Sequence, residues 1–486
     1  MVAMRMAMRS DAVAAAVAVM RRGSVQGVVV VICAVLLAGG STAQAANGRE
    51  LSGGTWHKAV ELAGPAGFVD PYVQAVSCES PGNCAAGGAY GVLYHFQAFV
   101  VSEQAGRWRR AVEVPGTTAL NTGGFAQVTS VYCPSPGACT AYGTLATRTD
   151  PGKMFVVSEI GGRWGRAIAL PAEGDFLAKD PLSCPSAGNC VAGGSIRLNG
   201  GRWHHAAVVS QIHGRWGPPL SLSRSFSEVD AVSCTSAGNC TASGTENTST
   251  FDGMFAVSEQ AGRWGQPVRI PLSPALTALH AGANAIDAMS CASAGNCAIT
   301  GTYEWDVGQF VEYRPFVVSE TGGRWGQEQD VPGLIRLGDE GGDNESVSCA
   351  APDTCTAGGY YPDSTGHPHA FLVTETGGLW GHVLKVAAAL HGGDPVEITS
   401  VSCTAPGTCT AGGSYDTTNS GQAFVIAETG GRWGHPQPLP GLAALNIGRA
   451  AGVNAISCPT ADHCAAVGYY YFVRGRHTRA FADSQG

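Results

Sequence analysis

Lysine is nearly missing from this chain: 486 residues hold only Lys58, Lys153, Lys179 and Lys385, and all charged residues together make up 14%. The formal net charge is -8, or about -11 once residues 1–45, with four arginines and one aspartate, are set aside. So acidic a surface excludes nucleic acid as an expected partner, because basic side chains on phosphates carry that affinity. It disfavours anionic membranes for the same reason. Long apolar runs are missing too, and the one conspicuous stretch, about Val28 to Ala38, is too short to span a bilayer comfortably. There is no long amphipathic helical pattern, no nucleophile elbow, no H-E-x-x-H and no phosphate loop. Glycine is plentiful, at 68 residues, which points to short strands and many turns.

Seventeen cysteines stand against these absences, and sixteen of them form C-x5-C pairs: Cys78/Cys84, Cys133/Cys139, Cys184/Cys190, Cys234/Cys240, Cys291/Cys297, Cys349/Cys355, Cys403/Cys409 and Cys458/Cys464. The odd one, Cys33, lies in the apolar stretch that follows Arg21 and Arg22 and precedes Ala43-Gln44-Ala45, a signal-peptide pattern over residues 1–45. Export to an oxidising space makes eight local disulfides the expected state, each a clamp on a hairpin turn. Zinc is the competing use of spaced cysteines, but no pair has a second pair or a histidine at ligand spacing. No cofactor is expected.

Aligned on its cysteines, the region from residue 46 to 486 reads as a single domain of eight repeats, with first-cysteine intervals of 55, 51, 50, 57, 58, 54 and 55. Each pair is followed by a strand such as "AFVVSE" at 98, and then by a turn and tryptophan such as "GGRWG" at 161. We label the strands a (ending at the first cysteine), b (starting at the second), c (the "AFVVSE" run) and d (starting at the tryptophan). A four-stranded unit with two apolar faces is buried by its neighbours when such units stack radially. The eighth unit lacks its own strand d, while "GGTWHKAVELAGP" at 53 is a strand d with no unit before it. The fold expected is therefore an all-β, eight-bladed β-propeller of four-stranded antiparallel blades. The N-terminal strand closes the last blade, each blade carries one disulfide, and the tryptophans pack between blades.

The unit "VSC…GNCAAGG…AFVVSE…GGRWG…LPG" resembles the repeats of BNR/Asp-box propellers, and more closely those of photosystem-assembly-type propellers with their turn before a tryptophan. The resemblance implies the propeller fold. The repeat departs from the Asp box in having Glu103, Glu159, Glu259, Glu320, Glu375 and Glu428 near the position of the aspartate, and a turn one residue shorter. No segment matches the catalytic residues of sialidases with this architecture.

Alternating strand direction puts the a-b and c-d turns on one face and the variable b-c and d-a loops on the other, where specificity is expected. Those loops, such as "TYEWDVGQFVEYR" at 302 and "YYYFVRGRHTR" at 469, are rich in aromatics, imidazoles and arginines. Tyr94, His95, Trp203, Trp305, Tyr313, Tyr361, His369, Tyr470 and Arg474 are the candidate binding residues, since flat rings beside hydrogen-bonding groups suit sugars and protein partners. The acidic loop at 338–346 offers oxygen ligands for calcium, but its spacing fits no EF-hand. His204-His205 and His367-x-His369 are alternative metal ligands, read here as loop histidines. The reading that follows is a secreted, monomeric, non-catalytic scaffold that recognises an extracellular glycan or protein. A secreted glycoside hydrolase or polysaccharide lyase and an envelope assembly factor are the alternatives.

Overall fold

The computed structural model describes residues 54–92, 95–148, 152–173, 181–198, 204–223, 225–247, 252–273, 284–306, 311–337, 341–386, 394–418, 420–473 and 477–486, all within the compact unit Leu51–Gly486. The expected signal segment lies outside the described residues.

The eight repeats are eight blades. In blade 1, strand a (Tyr72–Ser80), strand b (Asn83–Val92) and strand c (His95–Gln104) run antiparallel in sequence order. Strand d departs from the sequence reading: it is two short pieces, Arg107–Trp108 and Val112–Glu113, both paired to strand c. Trp108 lies opposite Glu103 and Val112 opposite Val100, so one extra residue bulges out between the pieces. Blades 2 and 3 also touch through a single pairing, Glu173 with Ser195.

The a strands contact one another in a complete circle, which places them around the axis. Closure is as the sequence implies. Val60 and Glu61 pair with Ala482 and Phe481 of the last c strand, and Trp56 bridges to Gln485. Eight apolar clusters, one at each blade boundary, form the core. Seven of them hold the phenylalanine of a c strand: Phe99, Phe155, Phe255, Phe316, Phe371, Phe424 and Phe481 are all at most 1% exposed. Each such ring contributes about 2–3 kcal/mol by burial.

All eight disulfides are present: Cys78–Cys84, Cys133–Cys139, Cys184–Cys190, Cys234–Cys240, Cys291–Cys297, Cys349–Cys355, Cys403–Cys409 and Cys458–Cys464. They staple strand a to strand b with Cα atoms 3.9 to 4.1 Å apart. The cysteines also do more than clamp the turns. The second cysteine of every pair is buried: Cys84, Cys139, Cys190, Cys240, Cys297, Cys355, Cys409 and Cys464 are 2–5% exposed. Seven of the eight belong to the apolar clusters between blades, and Cys297 Sγ lies 3.7 Å from Thr241 Oγ1 of the preceding blade. Cys190, Cys409 and Cys464 meet Thr140, Thr356 and Thr410 in the same way, at 3.5–3.8 Å. A bridged sulfur is apolar and carries no charge, so strand b can turn it into the interface where a thiolate or a polar side chain would be costly. These cysteines are therefore core residues as well as staples.

The remaining motifs have equally specific roles. In six blades a glycine inside the stapled turn faces the c-d turn of the same blade, Gly106 N donating to Gly82 O at 2.9 Å and Gly262 N to Gly238 O at the same distance; in blade 6 Asp353 takes that place, accepting from Gly378 N at 3.2 Å. The disulfide turn thus anchors the turn that carries the tryptophan, and the two turns share one face. The serine of "VSC" reaches sideways. Its Oγ accepts the cysteine N–H of the next blade at 2.9–3.0 Å between most neighbours and across the closure. The step from blade 2 to blade 3 is the exception, because Tyr132 stands there in place of serine. Strand b carries an obligatory glycine opposite a bulge in strand a: a Cβ on Gly244 or Gly413 would lie 1.8–1.9 Å from the carbonyl oxygen of Glu228 or Glu397.

The tryptophan is a packing and bonding residue between blades. Trp164 Nε1 donates to Ser102 Oγ of the preceding blade at 2.9 Å, and Ser102 donates to Glu159 at 2.7 Å. Trp108, Ser484 and Glu103 repeat the relay across the closure. The six glutamates that stand near the Asp-box position are 1–7% exposed. Burial raises the carboxyl pKa of each.

Candidate binding face and channel

In every blade but the third, whose a strand is described only from Leu182, a bulge in strand a sets one polar residue out of the ladder. Gln74, Thr129, Glu345, Thr399 and Asn454 line an open cavity of about 290 Å³ at the axis, together with Tyr72. Two of these side chains also tie blades together. Thr399 Oγ1 donates to Val453 O at 2.6 Å, and Asn454 Nδ2 donates to Val73 O at 2.6 Å across the closure. Asp230 and Asp287 occupy the same bulge position in the a strands of blades 4 and 5.

At the loop end of this channel, where blade 8 meets blade 1, three tyrosines gather. The rings of Tyr72 and Tyr469 are 6.3 Å apart and those of Tyr469 and Tyr471 6.1 Å, and Tyr72 is 45% exposed. Tyr469 leans over Gly452, whose missing side chain makes the room. Burial and the neighbouring Glu397 carboxylate hold the Tyr469 hydroxyl well above the usual phenol range, so it stays protonated as a donor. On the other side of the same strand, Phe472 is 45% exposed with the Arg479 guanidinium 5.6 Å above its ring. Sequence reasoning marked this loop through Tyr470 and Arg474; the alternating faces of the strand put Tyr469 and Tyr471 in the aromatic patch.

The sequence-based candidates separate clearly. Tyr361 and Tyr470 are each 1% exposed, so both rings are covered by the protein itself. Their strands turn these two residues into the blade interfaces, and Tyr470 donates to Glu61 at 2.8 Å, clamping the closing strand. Tyr90 makes the same bond to Glu113, which marks a structural role. His95 and Tyr313 are exposed on the loop face. His369 is mostly covered; its Nε2 lies 3.0 Å from Asp363 Oδ2 and its ring 5.6 Å from Tyr361. Asp363 also accepts from Thr365 and from the His367 N–H, and these bonds hold its carboxyl far below the usual range. Trp305 sits opposite Glu312 on its strand, and its side chain lies outside the described residues, as do Tyr94, Trp203 and Arg474.

The histidine pairs are engaged within their loops. His204 lies 3.1 Å from Ser195 Oγ, His205 3.0 Å from Ser225 O, and His367 2.7 Å from Thr365 Oγ1. Among the described residues no group of three or more histidine, cysteine or carboxylate side chains is arranged to hold a metal. Residues 338–340 of the acidic loop lie outside the described set.

No family model matches the sequence, and no curated protein matches it. Solved structures similar to the chain include a GH74 xyloglucanase from Xanthomonas campestris, at 13% identity and a TM-score of 0.46, covering 80% of this chain and 56% of the xyloglucanase. The chain thus spans little more than half of that enzyme. A PL25 ulvan lyase aligns at 12% identity and a TM-score of 0.43, covering 87% of this chain and 95% of the lyase. Sqt1 from Chaetomium thermophilum aligns at 11% identity and 0.49, covering 87% and 98%.

Proposed function

We propose that the protein is a secreted, non-catalytic scaffold that binds an extracellular glycan or protein on its loop face, at the mouth of the channel. One observation carries this reading: Tyr72, Tyr469 and Tyr471 form an aromatic patch over an open, polar-walled channel. Aromatic faces supply contact area at little entropic cost, and the hydroxyls and amides beside them suit hydrogen-bonding ligands. The N-terminal signal pattern and the eight disulfides support export. The likeness of the repeat to Asp-box propellers belongs to the same proposal, supported by the place of the buried glutamates beside the tryptophan turn.

Glycan-array screening and pull-down on cell-envelope fractions test it. A ligand is expected, with binding weakened about tenfold or more by Tyr72→Ala or Tyr469→Ala, as for central aromatic contacts. Trp203→Ala and Trp305→Ala probe the neighbouring loops. Turnover of a polysaccharide that is abolished by changing one channel carboxylate would replace this reading with a hydrolase or lyase.

A further inference from the structure

The opposite face carries a feature that neither the fold nor the loop-face reading uses. The residue before the turn tryptophan is arginine in blades 1 to 5 (Arg107, Arg163, Arg215, Arg263 and Arg324) and again in blade 7 (Arg432), and all six are exposed. The fold does not need these guanidiniums. Blade 6 has Leu379 in the same two-residue strand, and blade 8 has Thr55 beside Trp56. Arg269 and Arg479 pair with Glu246 and Glu61, whereas none of the six is ion-paired among the described residues. In a chain of net charge -8 they concentrate positive charge on one rim.

Between blades 4 and 5 this rim opens into a cleft of about 640 Å³. It is lined by Arg263, Arg324 and Arg269, by Trp325, and by the amides of Gln260 and Gln266. Trp325 packs one side on the blade core and is only part-buried, so it also forms a wall of the cleft. The one carboxyl in the lining, Glu320, is 4% exposed, and burial favours its neutral form. Paired guanidiniums suit planar carboxylates and sulfates, a part-exposed indole suits a sugar ring, and amides suit hydroxyls. Because the same arginine recurs blade by blade, a ligand with repeated negative charges would meet one cation after another.

We propose that the cleft between blades 4 and 5 binds an anionic polysaccharide, with its carboxylates or sulfates on Arg263 and Arg324 and a sugar ring against Trp325. The rim arginines of the neighbouring blades extend the contact along the polymer. This site is separate from the loop-face patch.

Calorimetric titration of the full chain with polygalacturonate, chondroitin sulfate, neutral dextran and polyuridylate tests it. One or both acidic polysaccharides should bind, dextran should not, and affinity should fall as salt rises from ~50 to ~200 mM. The relative affinity of the two tells carboxylate from sulfate as the preferred group. Arg263→Gln/Arg324→Gln should weaken binding about tenfold or more with an unchanged melting temperature, since both side chains are exposed. Leu379→Arg, at a position 76% exposed, should tighten it. Tyr72→Ala should leave it unchanged. The proposal is overturned if neither acidic polysaccharide binds, if the double variant binds as well as the parent, if polyuridylate binds more tightly, or if Tyr72→Ala is as damaging as the double variant.

Discussion

The backbone N–H of Cys78 donates to Ser457 Oγ at 2.9 Å across 379 residues of sequence. The same bond joins Cys133 to Ser77 and Cys458 to Ser402, so the last blade meets the first through an ordinary neighbour contact. A ring closed in this way buries the faces of its terminal blades as completely as the others. Ser457→Ala should therefore cost about as much as Ser402→Ala, about 1 kcal/mol each. Denaturant titration of the two variants checks this; a negligible effect for Ser457 alone would mean that the closure is looser than the rest.

The staples are expected to matter individually and modestly. Replacing Cys234 and Cys240 together by alanine should cost about 2 to 2.5 kcal/mol, the loop-entropy value for so short a closed loop. Thermal melts measure it. Intact mass under non-reducing conditions should show the sixteen paired cysteines without free thiols.

A methyl group should be enough to break a blade where strand b crosses the bulge. In Gly413→Ala the added Cβ would sit 1.9 Å from Glu397 O, against backbone that is held by the neighbouring strand. A loss of about 3 kcal/mol or more is expected. At Gly430 nothing lies within 4 Å but φ is +59°, so Gly430→Ala should cost only the strain of that backbone, about 1 kcal/mol.

Stability should fall as pH rises from about 4 to 8, and Asp483 is a principal cause. It occupies the strand c position held by Val101 in blade 1 and Ile426 in blade 7, is 1% exposed, and among the described residues no side chain hydrogen-bonds its carboxyl. Burial raises its pKa from 3.8 to about 8, so the folded state holds a proton that the unfolded chain releases in this window. Its favourable contribution is complete below pH ~4 and lost as pH passes the folded value, with a slope of up to about 1.4 kcal/mol per pH unit. Glu328, also pushed up to about 8 by burial, acts in the same direction. Asp483→Val should raise the melting temperature strongly at pH ~9 and little at pH ~4. An equal gain at both would point to packing alone.

Much of the architecture was legible because the repeat is covalently explicit. Eight cysteine pairs, eight tryptophans at the turn position and a displaced strand d define blade number and closure with no reference to side-chain contacts. That the second cysteine of every pair faces the core, joined by the first in blades 2 to 4, was not legible, because that depends on the phase of the strands against the next blade. The binding residues were less legible still. Tyr470 and Tyr471 are neighbours in a run of three tyrosines, yet the first is 1% exposed and clamps Glu61 while the second joins the surface patch. Tyr72, chosen by no motif, completes that patch from the other end of the chain.

By itself, the sequence determined what repeats: local turns, staples, strand order and the number of blades, since each depends on residues close together in the chain. The tertiary structure alone decided what converges. The channel collar, the tyrosine patch and the arginine-lined cleft each draw side chains from different blades, and their meeting depends on strand phase and on the bulges, which composition and spacing do not encode.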